Sequence, residues 1–349
     1  MEISSGKLRG MRRLADSQGL LKMVAIDQRP PMLKALATKL PHAPRYEDLA
    51  SVKSIITRHL AKLGSATLID PDYGFSSAEP DIPPNRGLLV TLEDYRFEDT
   101  PGGRKTAILP GWSVAKIKRM GADGVKLLLW FRPDCSPDVI EHQKRLVRQI
   151  GDDCSRYDIP FLLELLLYPA RGSSEDPRDY VEDSHKRPDM VLKSLEEFLS
   201  SDYGVDVFKI ESPIAAEALP DPGDTQEAQP EAHVWFHRIG RIMDRPWVVL
   251  SGGAGMEPFR RVVDFAYGSG ASGYLAGRAI WWDAFCCYPD ILAMEAALES
   301  SSASYMAHLN TMTDNRAKPW QEATLHGGTP TLAFKGHGFP GSYPDMHAS

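Results

Sequence analysis

The segment DVFKIESPI, residues 206–214, places Lys209 in the middle of a short β-branched run that otherwise reads as a buried strand. Lysine is almost never fully buried unless it is paired or put to use. Comparable charges stand near the ends of other apolar runs: Asp27 in KMVAID, Lys126 in GVKLLLW, Glu164 in PFLLELLL, and Glu211 two residues after Lys209. Any one of them could be a structural ion-pair member. Several runs ending alike are harder to explain that way, because a buried charge is costly unless paired. Two lysines converging on one apolar cavity have a particular use. Each cation disfavours protonation of the other, and burial acts in the same direction. An amine so placed can attack a carbonyl and form a Schiff base. A nearby carboxylate can then move protons on and off the carbinolamine and the substrate hydroxyl.

Two further runs end in small residues, LSGGAG (250–255) and LAGR (275–278). Small residues let backbone N–H groups approach a ligand, and a helix that follows adds its positive dipole end. Arg278 would add a bidentate partner for a phosphate. The plainer reading is a pair of glycine turns beside a surface arginine.

These residues need elements to position them. Eight runs of strand length recur: 22–27, 65–70, 87–93, 124–130, 160–167, 205–211, 246–253 and 273–278. Bounded by Gly, Pro or Asp, they suit strands buried on both faces. Most are separated by helical patterns such as YEDLASVKSIITRHLAKLG and SPDVIEHQKRLVRQIGDD, the latter opening on Ser136 and Pro137. The order predicts an α/β fold, a (β/α)8 TIM barrel in a single domain. Its weakest link is FSSAEPDIPPNR between the second and third strands, which holds at best a short helix. A doubly wound open sheet is the alternative, but AIDQRPPM after the first strand is no phosphate loop. In a barrel the site forms at the C-terminal strand ends. Alternation then puts Val205, Val207, Lys209 and Glu211 on one face, Leu162, Glu164 and Leu166 on another, and Ala25, Asp27 and Arg29 on a third. The barrel with its terminal helices is expected over 21–320, after an N-terminal extension, 1–20. Terminal helices are expected over 283–298 and 300–316, and a loose Gly/Pro/His-rich tail over 321–349. Residues 221–232 read as a surface loop.

The 349 residues carry a net charge of −7, which argues against nucleic acid or an anionic membrane surface as a partner. The N-terminus lacks the apolar core of a secretory signal, and no apolar stretch is long enough to span a bilayer. Four cysteines without metal-ligand spacing suit a reduced, cytoplasmic protein. Cys286 and Cys287 read as core-facing, and Trp281-Trp282 as packing of a helix on the barrel.

Taken together, AIDQR (25–29), LIDPDYG (68–74), DGVKLLL (123–129), LLELLLY (162–168), DVFKIESP (206–213), LSGGA (250–254) and AGRAIW (276–281) resemble the class I tagatose-1,6-bisphosphate aldolase family. The likeness runs over roughly residues 15–320. It implies Lys209 as the Schiff-base lysine, Glu164 as the proton-transfer carboxylate, and Lys126 with Asp27 as an assisting pair. Gln28 and Arg29 would lie near the far end of the substrate. Ser251, Gly252, Gly253, Gly277 and Arg278 would hold the 1-phosphate of a small sugar phosphate. No metal or other cofactor is implied, and a homo-oligomer is expected by family analogy. The stretch WFRPDC (130–135) departs from the family's tyrosine-rich, acidic pattern. Related enzymes cleave 6-deoxy-6-sulfofructose 1-phosphate to sulfolactaldehyde, and the sequence does not separate a C6 phosphate from a sulfonate. Other readings are weaker. A zinc-dependent aldolase could use His233 and His237 of HVWFH but lacks a third ligand. A dinucleotide site on GGAGMEPF lacks the last glycine of GxGxxG. A non-catalytic sugar-phosphate-binding regulator would bind ligand without forming an imine.

Overall fold

A computed structural model of the chain describes residues 2–169, 187–221, 229–323 and 330–345. Eight parallel strands close into a barrel: β1 (Leu21–Ala25), β2 (Ala66–Ile69), β3 (Gly87–Thr91), β4 (Gly124–Trp130), β5 (Phe161–Leu166), β6 (Val207–Ile210), β7 (Trp247–Val249) and β8 (Gly273–Ala276). Seven lie inside their predicted runs, and β1 begins one residue ahead of its own, at Leu21. Each pairs with its neighbours in chain order, and β8 closes on β1 with Ala276 opposite Val24.

The near-continuous apolar runs arise because both strand faces are buried. Met23, Ala25, Leu68, Leu89, Leu162, Val207, Val248 and Leu275 fill the interior. The alternate residues, such as Val24, Val125, Leu163, Phe208 and Val249, pack outward on the helical layer. Met11 and Leu14 of the helix Ser5–Leu14, together with Trp320, belong to the interior cluster. They close the N-terminal end of the barrel, where Leu14 reaches the first residue of β4.

The connection from β2 to β3 holds only the helical turn Phe75–Ala78 and a 3-10 turn, Glu79–Asp81. The C-terminal helices differ from expectation. The helix after β8 is Arg278–Phe285, and the next runs from Ile291 through a π-turn at Leu298–Ser302 into Ala303–Arg316. The break therefore falls at 286–290, where Pro289 ends one helix and Asp290 caps the next by accepting from the Ala293 N–H at 3.0 Å. Cys287 is half-buried and packs against the core, whereas Cys286 is exposed, so only one of the pair is core-facing. The predicted loop at 221–232 lies partly outside the described residues, and from Gln229 it is already helical. Thr331–Leu332 of the tail pairs with Glu2–Ile3. Among the described residues no helix is long and apolar enough to cross a membrane.

Candidate active site

A solvent-open cavity of about 130 Å³ lies at the C-terminal ends of the strands. The sequence-predicted residues Asp27, Gln28, Arg29, Lys126, Glu164, Lys209, Ser251, Gly252, Gly277 and Arg278 all line it. Gly253 is not among the lining residues, and a Cβ on it would lie 3.1 Å from the Arg278 guanidinium.

Strand register brings the charges together. Glu164 stands opposite Lys209 across β5 and β6, and its Oε1 lies 2.9 Å from the Lys209 Nζ. Its Oε2 lies 2.8 Å from the Lys126 Nζ. Lys126 sits one inward position lower on its strand, opposite Leu162. It reaches up to donate to Asp27 at 3.0 Å and to Glu93 at 2.9 Å. Burial disfavours the charge of Lys126, but Asp27, Glu164 and Glu93 outweigh that and hold its pKa above the ordinary lysine range. Burial likewise works against the charge of Asp27, yet Lys126, Lys209 and Arg29 hold its carboxyl well below the usual range.

For Lys126 this corrects the expectation of an apolar cavity that lowers a lysine's affinity for a proton. Three carboxylates converge on Lys126, which is a fixed ammonium. Glu211 is a second correction. β6 ends at Ile210, so the alternation stops there. Glu211 instead accepts from the Leu167 N–H at 2.7 Å and packs outside the barrel with Val191 and Leu195.

Glu93 is a site residue that the sequence reading passed over. It lies two positions beyond Thr91, on the inward parity of Leu89 and Thr91. Its second oxygen accepts from the Leu128 N–H at 3.0 Å. The one available signal was that parity, since the apolar run LLVTLE hides the charge at its end. Tyr95 was also missed: the Arg29 guanidinium lies 5.0 Å from its ring centroid. Arg29 is buried, 3.7 Å from both Asp72 and Glu93. Its Nε and Nη1 make no hydrogen bond among the described residues. Trp130 lines the cavity wall and packs edge-on against Phe97 and Tyr168, with Arg104 over its ring at 5.0 Å.

The loops after β7 and β8 form the opposite wall. Gly252 and Gly253 have φ of 60° and 90°, left-handed backbone suited to glycine, in a turn closed by the Ala254 N–H donating to the Ser251 carbonyl at 2.8 Å. Gly277 has no room for a side chain: a Cβ there would lie 2.4 Å from the Ala25 carbonyl and 2.8 Å from Gln28. Trp281, in the helix opened by Arg278, is fully buried, as expected for packing. His233 and His237 are exposed on the helix Gln229–Ile242, away from the cavity. No group of three potential ligands able to hold a metal occurs among the described residues.

Chemically, the cavity offers an amine beside a carboxylate, a fixed cation, a buried arginine and a glycine-lined anion cradle. A tagatose 1,6-diphosphate aldolase of Enterococcus faecalis is 33% identical over 285 residues, covering 81% of this chain and 86% of its own. One from Streptococcus mutans is 29% identical, covering 92% of this chain and 100% of its own. Fold likeness extends to a Plasmodium falciparum fructose-bisphosphate aldolase at 12% identity, with a TM-score of 0.63 over 91% of this chain and 98% of that one. An archaeal fructose-1,6-bisphosphate aldolase, solved with its catalytic lysine bound to the carbinolamine intermediate, is 15% identical with a TM-score of 0.53, covering 87% and 98%. Residues 21–283 match the DeoC/LacD family aldolases, and the chain belongs to that family.

Proposed function

We propose that the protein is a metal-independent class I aldolase of the cytoplasm. It cleaves a ketohexose 1,6-bisphosphate such as tagatose 1,6-bisphosphate into dihydroxyacetone phosphate and a three-carbon aldehyde. The observation that carries this reading is the Lys209 amine, almost fully buried in the barrel mouth and 2.9 Å from the Glu164 carboxylate.

The 1-phosphate sits on the Ser251–Gly253 backbone and Arg278, which presents the C2 ketone to β6. Glu164 takes the proton that Lys209 must lose before its nitrogen adds to C2. The carbinolamine hydroxyl leaves as water with that proton, giving an iminium. Glu164, again a carboxylate, takes the C4 hydroxyl proton. The C3–C4 bonding electrons flow into the iminium, leaving an enamine on Lys209 and releasing the aldehyde. Protonation of the enamine at C3 and hydrolysis return dihydroxyacetone phosphate and free Lys209. Lys126 stays cationic throughout and keeps Glu164 and Asp27 in place. The unbonded nitrogens of Arg29 suit a tetrahedral anion at C6, phosphate or sulfonate alike. Comparing kcat/KM for tagatose 1,6-bisphosphate and 6-deoxy-6-sulfofructose 1-phosphate separates those two substrates.

Borohydride trapping with dihydroxyacetone phosphate, read by intact mass and peptide mapping, tests the core of the proposal. A reduced adduct on Lys209 is expected, absent in Lys209→Ala, whose turnover is abolished with or without EDTA. Binding without any adduct would instead indicate a sugar-phosphate-binding regulator.

A further inference from the structure

The segment that carries Asp27 is gripped from outside the barrel. β1 ends at Ala25, and the carbonyls of Ala25 and Ile26 are met by side chains from other elements. The Trp281 indole Nε1–H donates to the Ala25 carbonyl at 2.9 Å. The Lys53 Nζ donates to the Ile26 carbonyl at 2.7 Å. Both donors are fully buried, and neither lines the cavity. Lys53, from the helix Tyr46–Leu60, also pairs with the buried Asp70 just past β2. Asp70 in turn accepts from the Tyr73 N–H at 2.8 Å. A buried ion pair of this kind adds little stability over a well-packed apolar pair. What it does supply is a fixed position for the carbonyl it holds.

We propose that Lys53 and Trp281 are positioning residues for Asp27: they fix the two carbonyls preceding it and so set its 3.0 Å contact with Lys126. The inference rests on the Schiff-base reading of the cavity. Asp27 has one oxygen on Lys126 and none of its other contacts to protein is a hydrogen bond through Oδ1. Its carboxylate therefore follows its backbone, which is held by the two outside donors and by the Ile26 N–H donating to the Leu68 carbonyl at 2.8 Å.

Two variants test this: Trp281→Phe, which keeps a ring in the packing but removes the donor, and Lys53→Met combined with Asp70→Asn, which avoids a buried unpaired carboxylate. Each is measured for fold by circular dichroism, for kcat and KM on tagatose 1,6-bisphosphate, and for borohydride trapping with dihydroxyacetone phosphate. The expected result is a fall in kcat of roughly 10- to 100-fold, the scale of a misplacement of about 1 Å. KM and adduct formation on Lys209 should change little. Should the Lys53 variant fail to fold, Trp281→Phe alone decides. Unchanged kcat in a folded variant overturns the proposal. So does a loss confined to KM, which would place Trp281 in support of the Arg278 cradle instead. Absence of an adduct in the unsubstituted protein would sink the aldolase reading itself, whereas an adduct with variants at full kcat sinks only the positioning role.

Discussion

Glu164 meets a different lysine with each of its oxygens, Lys209 through Oε1 and Lys126 through Oε2. On the proposed mechanism Glu164→Gln still forms the trapped imine but cleaves substrate roughly 10²- to 10⁴-fold more slowly, which single-turnover kinetics would resolve. Lys126 has a different share of the work. Lys126→Met leaves Asp27, Glu93 and Glu164 facing one another without their common cation. The expected loss is about 3–5 kcal/mol of stability in urea titration. Acid unfolding gives a second check. Asp27 is held below its ordinary range, so it contributes stability above its unfolded value of about 3.9, and loses it as pH falls through the lower folded value. Removing Lys126 lets the Asp27 carboxyl rise toward that ordinary value, and unfolding followed by circular dichroism should begin at a higher pH. Lys209, Glu164 and Asp27 were legible because charges interrupt apolar runs at the inward parity. Glu93 was hidden at the end of such a run. Lys53 was hidden in an amphipathic helix, where a lysine reads as part of the solvated face. Glu211 was misplaced because parity was carried past the last paired residue of β6.

At the scale of elements, the eight strands were readable from short apolar runs because each is buried on both faces. Their neighbours on the circumference followed from the rule that parallel strands joined by helices pair in order. Helix boundaries at the C-terminal end were less legible. The apolar pattern from 283 to 298 runs across Pro289, and only the proline with its following Asp290 cap marks the true break. The loops after β7 and β8 carry their own prediction. At Gly253, φ is 90° and a Cβ would lie 3.1 Å from the Arg278 guanidinium. Gly253→Ala should therefore strain the turn by about 1–2 kcal/mol and displace the arginine. The expected outcome is a KM for the 1-phosphate substrate raised by about tenfold with kcat little altered, read by steady-state kinetics.

Across the whole molecule, the ionised side chains of the cavity gather at one end of the barrel and an apolar plug closes the other. Trp320, Met11 and Leu14 plug the end opposite the cavity. Trp320→Ala should cost about 3–5 kcal/mol in a denaturation midpoint analysis, while kcat and KM of the folded fraction stay as they were. The overall charge and composition indicated the class of protein but not this division, because Trp320 lies in a segment without strand or helix periodicity of its own. The alternation along β6 has a further consequence, for insertions and deletions. Val207 and Lys209 face the interior while Phe208 packs on the helices, and Lys209 is in register with Glu164 on one side and Val248 on the other. One residue added ahead of Phe208 within the strand would swing the amine into the helical layer and present phenylalanine to the substrate. A change of strand length that keeps the amine inside must therefore come in steps of two residues.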